Sequence, residues 1–85
     1  MKISFLEHGW EDYNFWAEND IEILKRINAL IKDIKRSPFK GIGKPEPLKQ
    51  NYKGFWSRRI TIEHRLIYCI DSNEIVILKC RFHYD

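Results

Sequence analysis

Residues 55–82 read FWSRRITIEHRLIYCIDSNEIVILKCRF, and the fold follows from them. They contain three runs rich in β-branched and aromatic residues, 55–61, 64–70 and 74–82, separated by short polar turns at 61–63 and 71–73. Such residues suit a pleated, half-buried surface, so the runs predict an antiparallel meander of three strands. Upstream, residues 2–6 predict a short first strand. Trp10, Tyr13 and Trp16 recur at three-residue spacing with acids between them, which predicts an amphipathic helix of about three turns. Asn19 followed by Glu22 resembles a capping box that opens a second helix. Ile23, Leu24, Ile27, Leu30, Ile31 and Ile34 give that helix an apolar stripe, and Pro38 ends it. The order β-α-α-β-β-β predicts an α+β domain in which two N-terminal helices pack on one face of a four-stranded, mainly antiparallel sheet. The other face is left to bind.

The 85 residues suffice for one domain, 1–85, and hydrophobic residues at 44% supply enough apolar surface to fold without disulfides or a metal. Cys69 and Cys80 sit in apolar runs with no C-x-x-C spacing and read as buried thiols. No apolar stretch reaches the length of a signal peptide or membrane helix, so a soluble, cytoplasmic protein with no membrane association is expected.

Charge is unevenly spread. Acidic residues crowd the first third, whereas nine Lys or Arg stand between Lys35 and Arg65 against two Glu. That segment fits a polyanionic partner, with a plain solvated basic face as the alternative. It includes PFKGIGKPEPLKQNYKG, residues 38–54, with three Pro and three Gly. So long an irregular connection is seldom kept in a compact domain unless it is functional.

Several chemistries find no support in the residues. His8, His64 and His83 are scattered and form no metal-ligand spacing, so neither metal nor cofactor is expected. Gly41-Ile42-Gly43 lacks the pattern of a nucleotide-binding turn, and no serine lies in a nucleophile motif. Acid/base chemistry remains. Glu46 is held between Pro45 and Pro47, whose fixed backbone angles restrict where its carboxylate points. His83 follows the last strand, and an imidazole can donate a proton near neutral pH. Arg59 and Arg65 flank the 61–63 turn on neighbouring strands and could converge on one phosphate as planar donors, or could be salt-bridged, for example to Glu63. RNA carries its own nucleophile in the 2′-hydroxyl. A base, an acid and cations for the phosphorane charge therefore suffice to cleave it. Glu46, His83 and the two arginines fit those roles, with Lys44, Lys49 and Lys53 along the backbone.

PFKGIGKPEPLK (38–49), GFWSRRI (54–60), EHRLIY (63–68) and the ending CRFHY (80–84) closely resemble the YoeB/Txe branch of the RelE/ParE toxin superfamily, over nearly the whole chain. The resemblance implies a RelE-like fold and a ribosome-dependent mRNA interferase that cleaves the codon in the A site. It implies Glu46 as general base, Arg65 as transition-state stabiliser and His83 as general acid. Tyr84 would complete the catalytic set, with Lys49 and Arg59 near the substrate; Lys44, Lys53 and Glu63 join them as expected substrate-binding residues. It also implies a YefM/Phd-type antitoxin as partner, and homodimer formation. Asp85 departs from the pattern by adding an anion past the tyrosine. The gyrase-inhibiting branch, which lacks the Glu/His pair, and a non-catalytic RNA-binding module that stacks bases on Phe55, Trp56, Tyr68 and Phe82 are the competing readings.

One tension concerns register. Pairing Ile70 with Ile75 puts Arg65 opposite Cys80 and gives His83 the wrong parity to share its face. A bulge, a different register, or a His83 lying beyond the ladder would each resolve it.

Overall fold

The computed structural model describes residues 1–83; Tyr84 and Asp85, including the expected role of Tyr84, lie outside the described residues. Strand β1 (Lys2–Phe5) leads into helices α1 (Glu7–Asn19) and α2 (Ile21–Arg36). The strands β2 (Glu46–Pro47), β3 (Trp56–Arg59), β4 (Arg65–Asp71) and β5 (Glu74–Lys79) follow, with one 3-10 turn at Gln50–Tyr52. The sheet order is β1-β5-β4-β3-β2, parallel only between β1 and β5. The sheet thus has five strands where four are expected. The additional strand, β2, is two residues long and contains a proline, a residue tolerated only at a sheet edge because it cannot donate to the ladder.

The core lies between the helices and one face of the sheet. Trp16, Ile27, Leu30 and Ile34 meet Leu66, Tyr68, Ile75 and Ile77. Each fully buried Ile or Leu contributes roughly 1.5–3 kcal/mol relative to an exposed one. At Gly9 helix α1 comes so close to β5 that a Cβ would sit 2.7 Å from the carbonyl oxygen of Ile77. Two expectations need correction. The cap of α2 is Asp20, whose carboxylate accepts from the backbone N–H groups of Glu22 and Ile23. Asn19 is still the last helical residue of α1, and its side chain donates to Phe15 O. Of the two thiols only Cys80 is buried, and burial pushes it up to about 12; Cys69 is partly exposed.

The β4–β5 hairpin closes through Ser72 and Asn73, both in the left-handed region, with Asp71 opposite Glu74 and Ile70 opposite Ile75. Two consecutive positive φ angles match the twist of a two-residue hairpin turn. Between Ile67 and Tyr68 the register then shifts: Tyr68 faces Ile77 but Ile67 faces Lys79, so Leu78 is the extra residue of a bulge. Arg65 is therefore not opposite Cys80.

A polar centre sits inside the apolar layer. Arg58 has no exposed surface and directs three of its five hydrogen bonds at the segment between α2 and β2. Nη1 donates to Asp33 Oδ2 (2.6 Å) and Ile42 O (3.1 Å), Nη2 to Ser37 O (2.7 Å) and Lys40 O (2.9 Å), and Nε to Tyr68 Oη (3.2 Å). Tyr68 Oη donates in turn to Pro38 O at 2.6 Å. The Asp33 carboxylate also accepts from Arg36 (2.6 Å) and from the Ile42 N–H (3.0 Å). These bonds, Arg36 foremost and then Arg58 and Ile42, hold its carboxyl well below the usual carboxylate range against the opposing effect of burial.

Removing one partner from a buried pair strands the other. Arg58→Met is expected to destabilise the fold by about 3–5 kcal/mol in urea unfolding, and a loss under about 1 kcal/mol would contradict the network's role. A pKa depressed by folding stabilises the fold above the unfolded Asp value of about 3.9, and this contribution fades as pH falls below it. The stability gap between wild type and Asp33→Asn should accordingly be flat from about pH 7 to pH 5 and shrink below about pH 4. A gap unchanged down to about pH 2 would count against that origin.

Candidate functional site

Residues paired across neighbouring strands point to the same side of a sheet, so the register assigns each candidate to a face. Glu46 pairs with Ser57, Ser57 with Ile67, and Ile67 with Lys79, giving one row across the face opposite the helices. Arg59 and Arg65 pair directly and belong to the same face, two residues further along their strands. Opposed residues of an antiparallel pair have Cα atoms about 4.5–5.5 Å apart, so the two arginines stand side by side. The Arg59 N–H donates to Gly43 O at 2.7 Å, which brings the Gly43–Lys44 segment alongside Arg59. The face is not bare. Ile67 is 0% exposed and stands apart from the main core, giving the row an apolar floor.

The loop is delivered to this face by the Arg58 centre. Three carbonyls between residues 37 and 42 accept from the guanidinium, so the chain reaches Gly43 with its direction already set. Gly41, at φ +123°, passes so close to Asp33 that a Cβ would collide with the carboxylate. Lys44 and Gln50 are non-glycine residues in the left-handed region, at φ 51° and 55°, and lie close in sequence to Glu46 and Lys49. Strained backbone of this kind persists only where its surroundings over-determine it, and it clusters at functional sites. Glu46, Lys44 and Lys49 are all exposed.

Arg65 is 8% exposed and partly committed to the local structure: Nη1 donates to the carbonyls of Thr61 (2.9 Å), Ile62 (3.2 Å) and His64 (3.1 Å). Nε and Nη2 make no hydrogen bond to the described residues. Arg59 is exposed, and its carbonyl accepts from Arg26 at 3.3 Å. The salt bridge considered between these arginines and Glu63 is not the arrangement found. Glu63 Oε1 instead lies 3.8 Å from His64 Nε2, in the exposed turn between β3 and β4. Lys53 and Glu63 lie beyond opposite ends of β3, so those two do not share a local cluster.

Beyond Lys79 the alternation of the strand stops. Cys80 is tied to α1, its N–H donating to Asp12 Oδ2 (2.9 Å) and its carbonyl accepting from Trp16 Nε1 (2.9 Å). Arg81 stacks 3.5 Å above the Phe15 ring, again on α1. Phe82, at φ 62°, turns the chain, and its carbonyl accepts from the Arg65 N–H at 3.1 Å. His83 therefore leaves as an exposed residue beyond the ladder, next to Arg65 in the backbone bonding. The parity conflict is resolved twice, by the bulge and by this turn.

Four residues of consequence are absent from the candidates read in the sequence. Arg58 and Asp33 were detectable by position: Arg58 alternates with Trp56 and Ile60 on the core side of its strand, and Asp33 interrupts the stripe between Ile31 and Ile34. His64 has the core-side parity opposite to Arg65. Lys79 adds a cation to the Glu46 row. The surface depression of about 550 Å³ lined by Ala29, Lys32, Asp33, Lys35, Arg36 and Ile42 contains none of the candidate residues. Among the described residues there is no cluster of His, Cys, Asp and Glu that could hold a metal ion, and no helix long and apolar enough to cross a membrane.

Residues 5–84 match a family described as the YoeB-like toxin of bacterial type II toxin–antitoxin systems. A toxin YoeB from Synechocystis is 60% identical over 84 residues, which span 99% of this chain and 98% of that one. The YoeB/ParE toxin from Agrobacterium tumefaciens superposes with a TM-score of 0.97 at 46% identity, covering 99% of this chain and all of that one. The Staphylococcus aureus toxin, solved both in a heterotetrameric YoeB–YefM complex and as a YoeB dimer, superposes at 0.92 with 47% identity, covering 99% of this chain and 98% of that one. With a RelE-like α+β fold and these matches along almost its whole length, the chain belongs to the YoeB-like toxins of bacterial type II toxin–antitoxin systems.

Proposed function

We propose that this toxin is an endoribonuclease that cleaves mRNA in the ribosomal A site, without a metal, and thereby stops translation. The observation that carries this reading is the register: an edge-strand carboxylate, Glu46, shares a face with the Arg59–Arg65 pair, and the backbone of Arg65 holds the residue before His83. Glu46 takes the proton of the 2′-hydroxyl, and the 2′-oxygen attacks the adjacent phosphorus. The P–O5′ bond breaks as His83 gives its proton to the leaving 5′-oxygen. The products are a 2′,3′-cyclic phosphate and a 5′-hydroxyl end. Arg65, with Arg59 beside it, carries the charge that builds on the non-bridging oxygens, where planar bidentate donors are most effective. Lys44, Lys49 and Lys53 hold the RNA backbone, Glu63 borders it, and Tyr84 completes the site.

So small a protein offers few groups to orient a substrate, and misplacement by about 1 Å can cost on the order of 100-fold in rate. The ribosome supplies the missing orientation, which makes it a partner as well as a target. The toxin works in the cytoplasm and is neutralised by a YefM/Phd-type antitoxin. The YefM complex and the dimer formed by the S. aureus relative support that partner and a homodimeric state here.

Purified toxin given mRNA on stalled ribosomes should leave fragments with 2′,3′-cyclic or 3′-phosphate ends. Glu46→Gln and His83→Gln should each slow the single-turnover step by about 100-fold or more. Ends bearing 3′-hydroxyls, or unchanged rates in both variants, would refute the mechanism. The two arginines should differ. Arg59→Ala is expected to slow cleavage with little change in melting temperature. Arg65→Ala should slow cleavage and also cost about 1–2 kcal/mol of stability, because its Nη1 bonds to the turn are lost. Equal stability for the two variants would show that the turn does not depend on Arg65.

A further inference from the structure

We propose that His64 is a positioning residue for the reaction, fixing the backbone from which His83 reaches the substrate. This inference rests on the reading of His83 as the acid. His64 is 8% exposed and lies edge-on to Trp16 of α1, with ring centroids 4.8 Å apart and planes at 74°. On its other side the Phe82 ring stands 5.7 Å away. Its Nδ1 accepts the N–H of Phe82 at 2.7 Å, while the neighbouring Arg65 N–H donates to Phe82 O at 3.1 Å. Both polar groups of the Phe82 main chain are thus claimed by consecutive residues of β4 and its entry.

Phe82 is the residue that needs such a hold. A left-handed conformation in a residue with an aromatic side chain costs free energy, and it persists only where neighbouring bonds enforce it. The conformation also aims the chain: a change in φ or ψ at residue 82 swings everything after it, beginning with His83. The preceding residues cannot do this alone. Cys80 and Arg81 are tied to α1, and the bonds at Phe82 return the chain beyond Lys79 to the strand that carries Arg65. An imidazole accepts such an N–H only at an unprotonated nitrogen, so the bond also fixes the tautomer, with the proton on Nε2. Glu63 Oε1, 3.8 Å from that Nε2, favours the same tautomer. His64 would touch neither RNA nor the reacting atoms; it acts through Phe82.

A core histidine with no part in the reaction predicts a loss in step with stability. A positioning residue predicts more. The test compares His64→Leu, which fills the space without an acceptor, with His64→Asn, whose Oδ1 can take the place of Nδ1. The readouts are single-turnover cleavage on stalled ribosomes, the toxin concentration giving half-maximal rate, melting temperature, and hydrogen exchange at the Phe82 amide. His64→Leu should lower the maximal rate by about 10- to 100-fold, with much less change in half-saturation, and should speed exchange at Phe82. His64→Asn should restore most of both. In the His83→Gln background His64→Leu should add little, because the two act on one step. Equal losses in Leu and Asn that follow melting temperature, a loss confined to half-saturation, or full additivity with His83→Gln would each overturn the proposal. If His64→Leu does not fold, His64→Gln, which moves the acceptor outward, takes its place with the same expectations. Unslowed cleavage by His83→Gln would overturn the reading of His83 and with it the catalytic role of His64. Exchange at Phe82 would still decide separately whether His64 pins the backbone.

Discussion

The guanidinium of Arg58 gives each of its N–H groups to a protein acceptor, and most of what is distinctive in this small domain depends on that arrangement. A buried cation is tolerated only with a paired charge and satisfied donors. Asp33 provides the charge, and Tyr68 with the carbonyls of Ser37, Lys40 and Ile42 provides the rest. An ion pair in such a place gains little net stability over well-packed apolar residues. Its consequence is geometric. A segment with two glycines and no regular structure is held at several backbone points against α2 and β3, so the chain enters Gly43, Lys44 and the proline-flanked Glu46 in one conformation.

A second set of constraints acts from the other edge of the candidate site. The bulge at Leu78 rotates the end of β5 by one residue, which hands Cys80 and Arg81 to α1. Phe82 then turns the chain back to Arg65. The Glu46 segment and the chain leading to His83 are thus brought to β3 and β4 from different elements, each fixed by its own polar anchor. The arginines stand on two adjacent inner strands and form the last rung of the β3–β4 ladder before the turn. For a proposed reaction in which proton transfer and charge stabilisation must coincide, rigid placement of these groups does much of the catalytic work.

Much of this was legible beforehand because it depends on local periodicity. The stripe from Ile23 to Ile34 determines α2 and the side it buries. The β-branched runs determine the meander, and the polar 71–73 turn determines the pairing of Ile70 with Ile75. Residues with distinctive chemistry in distinctive settings, such as Glu46 between two prolines and Arg59 and Arg65 around one turn, could be singled out, and the family motifs pointed to the same positions. Asn19 was the weaker guess for the cap, since a short polar side chain one position along serves equally well in sequence and only the break between the two helices chooses Asp20.

The sequence by itself therefore determined the α+β class, the helical core face, the meander and the identity of the candidate groups, because each follows from side-chain type and a repeat of two or about 3.6 residues. Tertiary structure alone decided the parallel pairing of β1 with β5, the edge strand at Glu46, the bulge at Leu78, the Arg58–Asp33 centre and the grip of His64 on Phe82. These join residues 9 to 72 positions apart, and they arise because buried donors and acceptors must find partners wherever the packed chain offers them.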